Sequence, residues 1–252
     1  MIDYPRNGFD KRWRLRHGGP LPVPVWMWDG RYTGGHTLFD ASGRGNHGTF
    51  VGDPGWVATD AGMALLFDAT DHVAAVQLPS MSAYTVVHWF RVSATPIGLQ
   101  ILSDLQFSGD DGARLNFNNA NGRIYFSADD GTFSSVLTTG TLKIGEWNFC
   151  VAVIDGDYAR VYLNGEPAVS ASGNTFNFAG ATRQFEINSR NGGAYEFVGE
   201  QRFIAVFNQA LTPSQIQLLY TSQYNGGPGV LARKQSAAVG SGDTLKRYWV
   251  GT

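Results

Sequence analysis

GEWNFCVAVIDGDYARVYLNG, residues 145–165, reads as two strands joined by a tight turn. Trp147, Phe149, Val151 and Val153 fall on one side of a period-two ribbon, and Cys150, Ala152 and Ile154 fall on the other. Asp155-Gly156 predicts a hairpin turn, because glycine tolerates the positive φ that twist-matched turns require. Tyr158 to Leu163 returns as a β-branched and aromatic strand, and Asn164-Gly165 marks a second turn. A strand apolar on both faces must be covered on both. This one therefore belongs in the middle of a sheet in a two-layer β structure.

The composition around it agrees. The chain has 252 residues, 43% of them hydrophobic, enough for a sizeable core. Its 32 Gly and 10 Pro accompany 16 Phe, 10 Tyr and 7 Trp, a mixture suited to many short strands joined by tight turns. Runs such as Ile101–Leu105, Arg114–Asn118, Arg123–Ser127, Ser134–Leu137 and Gln184–Asn188 bring the strand count to about a dozen, at sandwich-like spacing. The helix candidate is Thr212–Tyr220, with Thr212 as cap, Pro213 in the first position, and Ile216, Leu219 and Tyr220 on one apolar face. Cys150 is the lone cysteine, so no intrachain disulfide forms, and a strand cysteine reads as a small buried hydrophobe.

The two ends differ from the body. The net charge is −2, yet residues 1–16 carry +3 and residues 230–252 carry +3, leaving −8 for the middle. Basic ends on an acidic body predict arms that dock on another surface. Arg12, Trp13, Arg14 and Arg16 mark the first arm, and Arg233, Lys234, Lys246, Arg247, Tyr248 and Trp249 the second. Pro20, Pro22 and Pro24 alternate, which favours an extended segment. Trp26 and Trp28 follow and call for burial. The expected division is an N-terminal arm (1–24), a β domain (25–224) and a C-terminal arm (225–252). No apolar run reaches membrane length and no Sec-type leader is visible, so the expectation is synthesis in a cytoplasm and no membrane partner. An acidic body with short basic clusters argues against nucleic acid.

Five separated segments carry a family resemblance. LFDASGRGNHGTF (38–50), ALLFDATDHVAA (64–75), YTVVHWFRV (84–92), the 145–165 hairpin and FVGEQRFIAVFNQALTPSQIQLLY (197–220) resemble, in consistent order, the motifs of laminin-G-like, concanavalin A-like jelly rolls. The resemblance implies an all-β, antiparallel two-sheet jelly-roll sandwich with one short C-terminal helix and extended terminal arms. Some members of that family bind Ca²⁺ through the hairpin that Asp68 and Asp71 match. Here Ala69 replaces the motif's glycine, and Arg202 stands where the final-strand Asp would be. A cation opposes a shell of oxygen ligands, so Asp68 and Asp71 remain calcium candidates whose first reading is as turn residues.

Other chemistry is sparse. Glu186, Glu196 and Glu200 lack the Glu-x-Asp-x-x-Glu spacing of concanavalin-like glucanases, so the expectation is no catalytic residue and no enzyme. His88 reads as a satisfied structural residue, and no histidine pairing suggests zinc. Trp56, Tyr125 and Tyr195 offer stacking faces for a glycan. The whole string also resembles stand-alone laminin-G-like proteins encoded in phage genomes. That resemblance implies a capsid decoration protein on the virion surface, docked through its arms on the major capsid protein or other virion proteins, and forming a homo-oligomer such as a trimer. The alternative is a carbohydrate-binding adhesion module, and the third reading is a glycoside hydrolase.

Overall fold

A computed structural model describes residues 21–30, 35–59, 62–108, 111–117, 122–129, 134–138, 140–156, 158–167, 169–172, 183–190 and 192–221. In chain order the strands are β1 Trp26–Trp28, β2 Thr37–Leu38, β3 Gly48–Val51, β4 Gly55–Thr59, β5 Gly62–Phe67, β6 His72–Leu78, β7 Ala83–Arg91 and β8 Gln100–Ser108. They continue as β9 Asp111–Phe117, β10 Tyr125–Asp129, β11 Ser134–Leu137, β12 Trp147–Asp155, β13 Tyr158–Leu163, β14 Val169–Ser172, β15 Arg183–Ile187 and β16 Gly199–Phe207. One helix, α1, spans Pro213–Thr221. Sheet 1 has the order β14-β13-β12-β7-β16-β5-β4, with β1 added on β16, and sheet 2 has the order β11-β10-β9-β8-β15-β6-β3-β2. All named strand pairs are antiparallel. The expected two-sheet sandwich with a closing helix is the observed one. The strands not anticipated are short, such as β1 and β2, where too few residues exist to show a period.

The 145–165 hairpin sits where its two apolar faces require. β12 lies between β7 and β13, and its residues 148–154 are all buried. Cys150, Ala152 and Ile154 enter the core between the sheets, while Phe149, Val151 and Val153 face outward into a second apolar cluster. The turn differs from expectation by one position. Asp155 pairs with Tyr158, so the two-residue connection begins at Gly156, at φ 56°. At the other end both turn residues are left-handed, Asn164 at φ 54° and Gly165 at φ 78°. The Asn164 side chain fixes the turn. Its Oδ1 accepts from the Phe149 amide at 2.8 Å, and its Nδ2 donates to Asn148 Oδ1 at 3.0 Å.

Sheet 1 is covered on its outer side. Val87, Trp89, Phe149, Val151, Phe203, Ala205 and Phe207 pack there with Leu211, Ile216 and Leu219 from the α1 region. Thr212 and Gln215 cap α1 reciprocally: the Gln215 amide donates to Thr212 Oγ1 at 3.3 Å, and the Thr212 amide donates to Gln215 Oε1 at 2.9 Å. Leu21 joins the same cluster, 4% exposed, so the packed body begins before the expected boundary at residue 25.

Between the sheets lies the larger core, with Trp26, Trp28, Phe67, Phe90, Phe117, Phe126 and Phe185 all fully buried. One polar chain crosses it. His88 on β7 meets Gln201 Oε1 through Nδ1 at 2.9 Å and Ser103 Oγ through Nε2 at 2.8 Å. A neutral imidazole carrying its proton on Nδ1 satisfies both contacts: it donates to Gln201 and accepts from Ser103. His88 is the structural residue its sequence position predicts. Burial drives its pKa down to about 4.

Candidate functional site

The outer face of sheet 2 has a different character. Ser127 on β10 lies opposite Arg114 on β9, Arg114 opposite Asp104 on β8, and Asp104 opposite Glu186 on β15. Directly opposed residues share a face, so these four form one row across four strands. Their strand neighbours Phe126, Ala113, Leu115, Leu105 and Phe185 point the other way, into the core. Alternation alone therefore places a line of polar groups on the side away from the core. A second polar row runs one pleat along, where Gln184 is opposite Gln106 and Gln106 is opposite Gly112. Asn116 adds to the face through a hydrogen bond from its Nδ2 to Ser127 Oγ at 3.1 Å, and Tyr125 lies directly opposite Asn116.

The charges at the centre are packed closely. Arg114 Nε lies 3.3 Å from Asp104 Oδ1, and Asp104 is 0% exposed. Neither Asp104 oxygen accepts a hydrogen bond among the described residues. Burial pushes the Asp104 carboxyl up to about 6; Arg114 and Arg190 oppose the rise and Glu186 adds to it. Glu186 is held differently. Ser189 Oγ donates to its Oε2 at 3.1 Å, and the Gly192 amide donates to both its oxygens at 3.1 Å. A side chain on Gly112 would collide with Asp104 Oδ1, so the glycine leaves the room that the Asp104 and Arg114 head groups occupy. Beside Glu186, residues 189–196 form a tight loop closed by the Arg190–Ala194 backbone pair. Here Glu196 Oε1 lies 3.9 Å from Nδ1 of the buried His72.

The aromatic candidates separate. Tyr125 stands half-buried on the polar face of sheet 2. Tyr195 is 49% exposed on the 189–196 loop and takes the left-handed conformation at φ 62°, an uncommon state for an aromatic residue. Trp56 lies on β4 of sheet 1 and packs against Trp28 and Phe50, with ring centroids 6.1 and 5.9 Å away. Its ring packs partly buried against the core between the sheets. The arm residues Arg12, Trp13, Arg14, Arg16, Arg233, Lys234, Lys246, Arg247, Tyr248 and Trp249 lie outside the described residues.

The acidic turn residues have structural duties. Asp71 accepts from the Asp53 amide at 2.8 Å and the Asp68 amide at 3.3 Å. Asp68 accepts from both the amide and hydroxyl of Thr70 at 2.7 Å, contacts that lower its pKa. Arg202 is directed away from this turn, with its guanidinium over the rings of Trp89 at 5.3 Å and Trp147 at 5.0 Å. Among the described residues no group of three or more His, Cys, Asp or Glu assembles as a metal site. No helix among them is long and apolar enough to cross a membrane.

Sequence reading found Glu186 but not its partner. A search along one strand looks for carboxylates at fixed spacing, whereas Asp104 meets Glu186 across two strands that are 82 positions apart in sequence. The visible signal is Asp104 inside the apolar run Ile101–Leu105. Glu200, by contrast, pairs with Arg91 through two contacts of 3.0 and 2.6 Å beside sheet 1.

A family profile described as the concanavalin A-like lectin/glucanases superfamily matches residues 67–217. The chain belongs to that superfamily, within its laminin-G-like branch. Comparison with curated proteins yields no match in sequence. Among solved structures, the chain is similar to domain 4 of AbnA, a GH43 extracellular arabinanase from Geobacillus stearothermophilus, in complex with arabinotriose. The identity is 19% and the TM-score 0.65, over 77% of this chain and 97% of that domain. Trypanosoma rangeli sialidase in complex with the inhibitor DANA shares 18% identity at a TM-score of 0.62, over 82% of this chain and 34% of the sialidase. The binding domain of botulinum neurotoxin DC in complex with SialylT shares 11% identity at a TM-score of 0.62, over 81% of this chain and 51% of the other. This chain thus spans about a third of the sialidase and about half of the toxin domain.

These are likenesses of fold. They nevertheless correct the expectation that the chain is no enzyme. The same architecture is built into a GH43 arabinanase and a sialidase, so it gives no ground for denying hydrolase chemistry. The expectation had rested on a single-strand motif, which is silent about carboxylates brought together across strands.

Proposed function

We propose that this protein recognises carbohydrate, with the outer face of sheet 2 as its sugar-facing surface. The observation that carries the reading is the contrast between the two sheets. Sheet 1 buries an apolar outer face under α1, whereas the outer face of sheet 2 holds a polar row, Ser127, Arg114, Asp104 and Glu186, which is itself buried, with the half-buried Tyr125 beside it and the exposed Gln184 one pleat along. Sugars need this combination: donors and acceptors for hydroxyl groups, and an aromatic ring for the apolar face of the pyranose or furanose. The bound arabinotriose and SialylT in proteins of this fold support the choice of ligand class. Titration calorimetry with arabinotriose and with SialylT tests it. The expected outcome is saturable binding of at least one of them, weakened tenfold or more by Tyr125→Ala. Absence of heat with both ligands, in a folded protein, contradicts it.

A second reading concerns where such a domain works. The charge distribution, +3 at each end against −8 in the middle, favours arms that anchor the domain to a larger assembly. In this reading the assembly is a phage virion, the anchor is the major capsid protein or another virion protein, and the protein is a surface homo-oligomer, such as a trimer. Deleting residues 1–20 or 226–252 then abolishes attachment to capsids and leaves the β core folded. Capsids decorated normally by both truncated proteins refute the arm mechanism.

A further inference from the structure

Among the described residues seven large apolar side chains are exposed, and six of them stand at one end of the sandwich. That end is where β7 finishes and β12 and β16 begin, since Arg91 is opposite both Trp147 and Glu200. Leu66 lies there opposite Glu200, and Val51 opposite His72 at the start of β6. Ile97, Ile144, Tyr195 and Val198 lie on the connections 92–99, 138–146 and 188–198, which reach the same end. Hydrogen bonds tie these connections to one another and to the strands beside them. The Gly145 amide donates to the Val92 carbonyl at 2.8 Å, the Ile101 amide to the Tyr195 carbonyl at 2.8 Å, and the Val198 amide to Gln100 Oε1 at 3.2 Å. Tyr158, the seventh, is opposite Asp155 at the other end of the sandwich. Apolar residues scattered singly over a surface are ordinary, whereas a set gathered on one rim marks a surface that something covers.

The border of the rim is acidic. Among the described residues its fully exposed carboxylate and cationic side chains are Asp53, Asp68, Glu146 and Glu166 against Lys143. An apolar rim with an acidic border fits a segment that is both apolar and basic. Helix α1 leads to such a segment. It starts at the far end, where the Leu211 amide donates to Thr85 Oγ1 at 3.0 Å near the start of β7. It finishes beside the rim. Tyr220 stacks on Trp89 and its ring lies over Gly165, and the amide of the adjoining Asn164 donates to the Phe149 carbonyl at 2.8 Å. Residues 222–252 follow, outside the described residues, and carry Leu245, Tyr248, Trp249 and Val250 around Lys246 and Arg247. The 23 residues between Thr221 and Leu245 can span up to about 80 Å, so the whole rim is within reach. A tethered segment meets its site at an effective concentration on the order of millimolar, which favours the rim of its own chain over that of another copy.

We propose that this rim is the docking surface for the chain's own residues 245–250. The four apolar side chains cover Ile97, Tyr195 and Val198, and the two cations meet Asp68 and Glu146. The inference goes beyond the carbohydrate reading and does not rest on it. Where the C-terminal arm anchors the domain to an assembly, it leaves the rim to do so.

Hydrogen exchange read by mass spectrometry on the full chain tests the docking. The reference is a synthetic peptide of residues 241–252, which has no rim to bind. The expected result is that amides of 245–250 exchange about tenfold or more slowly in the chain than in the peptide. Ile97→Asp combined with Val198→Asp returns them to the rate of the peptide, and Tyr158→Asp at the other end does not. The wild-type comparison needs no variant to fold. Equal exchange in chain and peptide overturns the proposal. Protection that survives the double substitution in a folded protein places the segment elsewhere and overturns it too. Protection that grows with protein concentration, together with a dimer mass by light scattering, gives the rim to a second copy and overturns the assignment to the same chain. No sugar enters the experiment, so each of these failures leaves the carbohydrate reading standing.

Discussion

His88 and Asp104 titrate in opposite senses. Native His88 resists the proton that an unfolded histidine takes up, because its pKa falls from 6.5 to about 4. Its contribution is complete above pH 6.5 and is lost as pH falls toward about 4, a change of about 3 kcal/mol. Native Asp104 holds a proton that an unfolded aspartate releases, because its pKa rises from 3.8 to about 6. Its contribution is complete below pH 3.8 and is lost as pH rises toward about 6, again about 3 kcal/mol. The two trends offset each other between about pH 4 and 6. Urea unfolding across this range checks the signs. Relative to wild type, Asp104→Asn loses stability as pH falls, and His88→Gln gains it. Parallel curves for all three proteins contradict this account of the two buried groups.

The same residues show how far sequence alone reaches. His88 was legible because a histidine on the inward parity of an apolar strand must find partners inside. Asp104 was not, because its meaning depends on which residues stand opposite it on β9 and β15. Register is set by the pleat, the bulges and the turns together, and one strand's spacing does not contain it.

At the scale of elements, the central hairpin and the helix hold each other. The Tyr220 ring of α1 lies over Gly165, where a Cβ would approach it to 2.7 Å, and stacks at 13° on Trp89 with centroids 6.1 Å apart. Gly165→Ala therefore combines a strained left-handed alanine with a displaced ring. Thermal unfolding should show a loss of about 2–4 kcal/mol. Thr212→Ala removes one half of the reciprocal cap and is expected to cost about 1 kcal/mol. Equal stability of Gly165→Ala and wild type shows that the turn and helix are not coupled. The hairpin was readable from its two apolar faces. The Tyr220 contact was not, since a helix of nine residues carries no sign of the glycine it covers.

At the scale of the molecule, the two sheets divide the work. Sheet 1 is apolar on both faces and builds the packing; sheet 2 is apolar inward and polar outward, and is the sheet to which we assign the proposed recognition. The sandwich class was legible because alternating strands and turn residues recur along the whole chain. The division of labour was not, because the aromatic candidates Trp56, Tyr125 and Tyr195 look equivalent in sequence and only strand order assigns them to different places. A glycan array probed with wild type, Tyr125→Ala and Tyr158→Ala tests that division most directly. Tyr158 is 48% exposed on β13 of sheet 1 and serves as the control. The account predicts glycan binding by the wild type, a loss of tenfold or more in Tyr125→Ala, and none in Tyr158→Ala. Binding that survives Tyr125→Ala and is lost with Tyr158→Ala would place recognition on the wrong sheet and contradict it.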